Sequence, residues 1–160
     1  MTGDLTAAGQ NLNGSKHNLC EMNGDTSRLN FNSFTLTCNF SHNANKQWHV
    51  FNLINSSTLT IASGVNSEGT LKMNIGDAKN NVYVFYLDAT STLILEKGVV
   101  IEVKYPTNAK DKVFAFNIGE KIFTPNTTDY PGLYVQNDTQ QGILRIVVSE
   151  TTTIFGNAQK

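Results

Sequence analysis

The sequence has no long apolar run, no clustered charge and few prolines, and each shortage removes a class of protein. No window reaches the roughly 18 consecutive apolar residues that a membrane helix needs, so no membrane insertion by helices is expected. Lys and Arg total 12 against 13 Asp and Glu, and the formal net charge is −1. A chain so balanced carries no basic footprint for nucleic acid and no acidic tail, so nucleic acid is not an expected partner. The N-terminal MTGDLTAAGQNLNG lacks the basic region and apolar core of a secretory signal. Either export follows another route or none, or the chain is an excised domain with an added Met1.

Helical periodicity is missing too. No window of about 11 residues repeats its apolar positions at helical spacing, which argues against α/β architectures. The three prolines all fall outside the apolar segments. There are two cysteines, Cys20 and Cys38, and without clustered histidines beside them they do not make a metal site. Cys38 alternates with Phe34, Leu36 and Phe40 on an apolar face, which favours buried free thiols over a disulfide.

Signatures of catalysis are also lacking. There is no G-x-S-x-G elbow and no phosphate-binding glycine loop. His17, His42 and His49 have no metal-ligand spacing; His42 reads as a solvated turn residue and His49 as a satisfied strand residue. Retaining glycosidases place two carboxyl groups about 5 Å apart. Here Glu96 and Glu102 are well separated along the chain, while Glu68, Glu120 and Glu150 stand alone in turns or at strand ends. The chain is therefore not expected to be an enzyme.

What is abundant is Asn, Thr and Ser, between short apolar segments. At 160 residues and 39% hydrophobic, the chain suffices for one full core, so residues 1–160 read as a single domain. In SFTLTCNF, Phe34, Leu36, Cys38 and Phe40 share one face and Thr35, Thr37 and Asn39 the other, the period-2 pattern of a half-buried strand. QWHVFNLI and NVYVFYL are apolar on both faces, as strands at the centre of a sandwich are. TLTIASGV and TLKMNIG flank NSEG, where Gly69 suits a tight turn. Val99, Ile101, Val103 and Tyr105 alternate with Val100, Glu102 and Lys104, and the stretch from Gly98 to Thr124 reads as two antiparallel strands and the start of a third. LYVQND, ILRIVVSE and TTTIFG follow.

Roughly ten to twelve short strands with frequent turn signals predict an all-β, antiparallel, two-sheet jelly-roll sandwich. The alternative is an immunoglobulin-like sandwich, which runs nearer about 100 residues and seven strands.

The succession SFTLTCNF, QWHVFNL, GVNSEGTLKMNIG, EKGVVIEVKY, KVFAFNIGEKIF and GILRIVVSE resembles the laminin-G-like members of the concanavalin A-like lectin and glucanase superfamily. It covers Leu29 to Phe155. The family's usual Val-Asn-Gly-Lys turn is replaced by Asn117-Ile118-Gly119-Glu120-Lys121, which puts the register of Ile122 and Phe123 in doubt. Galectins share some of these features, but their sugar-binding His, Asn, Arg and Trp-Gly signature is absent. The resemblance implies a concanavalin A-like jelly roll whose concave face or rim loops bind carbohydrate.

A sugar presents an apolar C–H face and a ring of hydroxyls, so a site needs an aromatic platform beside planar amide and carboxylate partners. PNTTDYPG supplies Asn126, Asp129 and Tyr130, and Trp48, the single tryptophan, is a candidate platform; a plain connector and core packing are the competing readings. Asp77, Asp88 and Asp138 stand near turns as possible Ca²⁺ ligands of the kind laminin-G-like domains sometimes carry, although calcium wants about six to eight oxygens. No other cofactor is expected. The sequons at Asn13, Asn39, Asn55, Asn126 and Asn137 are uninformative in a chain so rich in Asn and Thr.

The expected function is a non-catalytic, lectin-like recognition module for a glycan or cell-surface glycoconjugate, in adhesion or host-receptor attachment, at an extracellular or particle surface. The alternative is a structural or oligomerising head of a viral or phage fibre, as a homo-oligomer.

Overall fold

A computed structural model describes residues 3–6, 16–31, 35–40, 47–64, 69–76, 80–119, 121–123 and 130–157. The strands are wound as coils. The first coil contains β2 (Lys16–Asn23), β3 (Thr26–Asn30) and β4 (Thr35–Phe40). The second contains β5 (Gln47–Ile54), β6 (Thr58–Ala62) and β7 (Gly69–Ile75), and the third β8 (Val82–Leu87), β9 (Thr92–Leu95) and β10 (Val99–Lys104). β11 (Val113–Ile118) opens a fourth coil, followed by β12 (Lys121–Phe123), β13 (Leu133–Asp138), β14 (Ile143–Val148) and β15 (Thr152–Phe155); β1 (Gly3–Thr6) precedes them all. No α-helix occurs among the described residues.

Each coil visits the same three sheets in turn, so equivalent strands stack. β2, β5, β8 and β11 run parallel in a five-stranded sheet that ends on β12. β3, β6 and β9 run parallel in a four-stranded sheet that ends on β15. β1, β4, β7 and β10 run parallel in a six-stranded sheet that continues through β14 to β13. The molecule is a parallel β-solenoid, a stack of coils in which each contacts its neighbours.

The all-β expectation is met, and the antiparallel jelly roll is corrected to this parallel winding. The reason lies in the corners. β10 and β11, expected as a hairpin, lie in different sheets, and so do β6 and β7 on either side of NSEG. Turn residues close hairpins and turn solenoid corners equally well. Gly69 is not among the glycines of positive φ. It supplies room instead, since a Cβ there would meet Phe31 Cβ at 2.7 Å and Ser63 Cα at 2.9 Å. One hairpin does form as expected: β12 returns antiparallel to β11 around Gly119 (φ 54), pairing Asn117 with Ile122 and Phe116 with Phe123.

Stacking in register places like on like. Phe51, Phe85 and Phe116 occupy one column of the five-stranded sheet, with ring centroids 5.2 and 5.5 Å apart and planes tilted by 16° and 22°. Leu53, Leu87 and Ile118 form the next column. On the six-stranded sheet Leu71, Met73, Val99, Ile101 and Val103 face the same buried core, as their alternation predicts. In the five-stranded sheet both Val50 and Phe51 enter the core, as do Val84 with Phe85 and Ala115 with Phe116. The pairing registers skip Val50, Val84 and Ala115. Each strand bends there and shifts its inside-outside phase by one residue, as a bulge does.

Growth of the solenoid stops at the C-terminal side by reversal of direction. β12, β14 and β15 each run antiparallel to the last parallel strand of their sheet. At the other end, the half-buried Cys20, Leu29 and Leu36 of the first coil pack against the core. Both cysteines are free thiols, Cys38 buried and Cys20 half-buried, and burial pushes both up from the usual thiol range.

The corner between the five- and four-stranded sheets is held by side chains reaching from coil to coil. Asn55 Nδ2 donates to Asn23 Oδ1 (2.7 Å), and the Asn55 amide donates to Asp88 Oδ2 (2.6 Å). Asn55 and Ser56 both hold positive φ, 56° and 65°, a conformation L-residues resist unless their surroundings compensate. Asp88 Oδ1 also accepts the Thr90 amide and hydroxyl and the Ser91 hydroxyl. Gly156 packs against this corner so closely that a Cβ would lie 1.6 Å from the Asp88 carbonyl oxygen.

Two outcomes are expected. Phe85→Ala removes the middle ring of the stack and should lower unfolding free energy by about 3–5 kcal/mol in urea titration. At Asp88, burial alone would raise the carboxyl pKa, but the hydrogen bonds from Asn55, Ser91 and Thr90 outweigh it and hold the group below its ordinary value. Its stabilisation is complete above the unfolded-state value of about 3.9 and is lost as pH falls from there through the lower folded value. Asp88→Asn should therefore flatten the acid side of the stability profile by calorimetry while leaving the neutral arm less stable than the parent.

Candidate functional site

The five-stranded sheet carries its chemistry on the outside of the bend, where His49, Tyr83 and Phe114 form one column and Asn52, Tyr86 and Asn117 the next. Tyr83 is buried yet lies outside the core cluster, as expected for a side chain on the outer face. His49 and Asn52 are three residues apart, a spacing that a straight strand would send to opposite faces. The bend brings them together, with His49 Nδ1 and Asn52 Oδ1 at 3.1 Å.

Proton positions follow from the neighbours. Asn52 Nδ2 donates to Glu21 Oε2 (2.9 Å), which Asn18 Nδ2 also approaches. A carboxylate only accepts, so the Asn52 oxygen must face the imidazole and Nδ1 must carry its hydrogen. The imidazole stacks on Tyr86 at 4.4 Å and 3°. His49 is fully buried and Asn52 nearly so. This network ties the first three coils together, running from the buried His49 and Asn52 out to the exposed Glu21.

The outer face of the six-stranded sheet carries several exposed side chains by contrast, although Val100 within it is buried. Tyr134, 56% exposed, is the most exposed large hydrophobic side chain among the described residues. It stands at the head of a row that continues through Val147 to Val100. Two residues along, on the same face, the register aligns Gln136, Arg145, Glu102 and Lys72 on four successive strands. Neighbouring strands lie about 4.8 Å apart, so that row spans roughly 15 Å. Lys104 follows Glu102 on β10, opposite Asn74, whose amide donates to Asn39 Oδ1 (2.6 Å). Lys72, Lys104 and Arg145 are exposed and join no ion pair among the described residues, where the ion pair found is Arg28–Glu96 on another face.

Asn126 and Asp129 lie outside the described residues. Tyr130 is half-buried against the core, with its carbonyl accepting the Leu133 amide (2.9 Å). Trp48 is 9% exposed and belongs to the core cluster, so its ring is used in packing. Among the proposed calcium ligands, Asp77 lies outside the described residues and Asp88 is occupied by the corner. Asp138 Oδ1 accepts the Gln140 and Gln141 amides, both at 3.1 Å, and closes the β13–β14 turn. Among the described residues no group of three or more His, Cys, Asp or Glu is placed to hold a metal ion.

Tyr134, Gln136 and Arg145 were not singled out by sequence. The alternation in LYVQND does point Tyr134, Gln136 and Asp138 to one side, but nothing local says which strand lies beside them. Comparison with protein-family models, with curated proteins and with solved structures finds no match for this chain. The laminin-G-like resemblance therefore rests on the quoted residues alone.

Asn52→Ala should leave the Nδ1 hydrogen of His49 buried without its partner. A loss of about 1–3 kcal/mol is expected in chemical denaturation, with the strand content by circular dichroism unchanged at low denaturant.

Proposed function

We propose that this chain is a non-catalytic recognition module that binds carbohydrate on the outer face of the six-stranded sheet. The observation that carries the reading is Tyr134, a solvent-exposed ring beside a flat row of amide, guanidinium, carboxylate and ammonium groups. A pyranose laid on Tyr134 and the half-buried Val147 offers its C–H face to them, while its edge hydroxyls meet Gln136, Arg145 and Glu102. Sheet register fixes the backbone positions of these groups, while the exposed Gln136 and Arg145 side chains must still be ordered on binding. Such a module suits attachment to a cell-surface glycoconjugate from an extracellular or particle surface.

A second reading, a structural or oligomerising head, draws on β13. It is the last strand of its sheet, and its six residues contain no proline and no lysine, the usual protections of an exposed edge. Two copies could join there edge to edge.

A glycan array tests the first reading. Retention of a glycan by the parent, with roughly tenfold weaker binding by Tyr134→Ala at unchanged thermal stability, is the expected result. An empty array together with a defined oligomer in sedimentation would replace it with the second.

A further inference from the structure

We infer that the N-terminal end of the solenoid is the interface of a twofold dimer, and that its occupant is a second copy of this chain. Among the described residues β2 and β3 have no strand beside them on that side, and β1 covers β4 alone. The core is open at this end. Ser27 heads the inward column that continues through Leu59, Leu93 and Ile154; those three are buried while Ser27 is exposed. Leu29, at the head of the Ile61 and Leu95 column, and Cys20, at the head of the phenylalanine column, are only half-buried. The backbone of β3 is available as well. The Asp25 carbonyl accepts the Thr58 amide and the Phe31 amide donates to the Ala62 carbonyl, so alternation turns the peptide groups of Thr26, Arg28 and Asn30 away from β6. Arg28, the charge that would guard this edge, is instead drawn along the outer face to Glu96 of the third coil, with bonds of 2.6 and 3.0 Å.

The shape of this end fits a copy of itself. Because the chain climbs as it winds, β1 lies one coil below β4 and leads into β2 and then β3. A twofold axis perpendicular to the five-stranded sheet keeps that sheet in line with its counterpart and exchanges the positions of the other two. It lays β2 antiparallel on β2 of the partner and β3 antiparallel on β1 of the partner, with the partner's β3 on β1 in return. The one surplus strand, β1, then fills the gap that its twin leaves, and all three sheets run through the contact. This is the isologous, closed contact of a symmetric dimer. It repeats the antiparallel closure by β12, β14 and β15 at the other end. None of β1, β2 and β3 contains proline, so every outward amide can donate. The outer face of the six-stranded sheet stays clear of the contact, and the dimer is independent of the carbohydrate reading.

Sedimentation of the full chain over a concentration series tests this, and the parent is expected to dimerise. Ser27→Leu carries the Leu59 column into the contact from both copies and should tighten the dimer roughly tenfold or more. Ser27→Glu, tolerated in the monomer because the position is exposed, should weaken the dimer roughly tenfold or more by burying a charge. Arg28→Pro removes an amide that faces away from β6, so it should weaken the dimer roughly tenfold while circular dichroism shows the strand content of the parent. Arg28→Ala loses the same ion pair but keeps the amide, and should dimerise like the parent. A parent that stays monomeric throughout the series overturns the proposal. So does a dimer indifferent to both Ser27→Glu and Arg28→Pro, which would assign the contact to another surface such as the edge of β13, and so does equal loss in Arg28→Ala and Arg28→Pro.

Discussion

In-register stacking of equivalent strands is the constraint on which every other feature of this molecule depends. It puts Phe51, Phe85 and Phe116 ring against ring at 5.2 and 5.5 Å. It also aligns Leu53 with Leu87 and Ile118, so the core is a set of columns running through the coils. The same registry operates outside the core. Asn55 meets Asn23 and Asp88 across the corner, and Glu102 falls between Lys72 and Arg145. A slip of one residue in any coil would turn apolar columns outward and break the corner ladder together.

Parallel stacking brings a liability, because each end of the stack presents backbone groups ready to pair. At the C-terminal side the chain reverses and lays an antiparallel strand on all three sheets. The reversal also builds the candidate site. β14 contributes Arg145 and β13 contributes Tyr134 and Gln136, so the terminating strands widen the six-stranded face and bring the aromatic and guanidinium groups to it. The His49–Asn52–Glu21 network on the five-stranded sheet carries similar chemistry, but the burial of His49 and Asn52 commits those two side chains to joining coils.

Much of the local structure was legible in the sequence. Val99, Ile101 and Val103 alternate with Glu102 and Lys104, and they are inside and outside as that alternation implies. QWHVFNLI and NVYVFYL, apolar on both faces, are strands buried on both sides. The winding was not legible, for two reasons. Alternation has the same period in parallel and antiparallel sheets, so it carries no direction. The repeated strand, WHVFNLI, VYVFYLD and VFAFNIG, recurs at unequal intervals and is joined by corners whose Gly, Asn and Ser also serve hairpins. Of the candidate site, Glu102 and Lys104 could be placed on an outer face from alternation, while their neighbours could not be named.

The sequence by itself determined that the protein is all-β, where most strands from Thr35 onward lie, and which face those strands turn to the core over most of their length; β2, β3 and β9 were not located by it. These are local properties, written in the spacing of apolar side chains along a few consecutive residues. Only the tertiary structure decided which strands lie side by side, where the five-stranded sheet bends and which polar groups share a surface. Tyr134, Arg145, Glu102 and Lys72 come from widely separated parts of the chain. Their proximity is set by sheet register, which arises from packing many coils against one core and has no signature within any single strand.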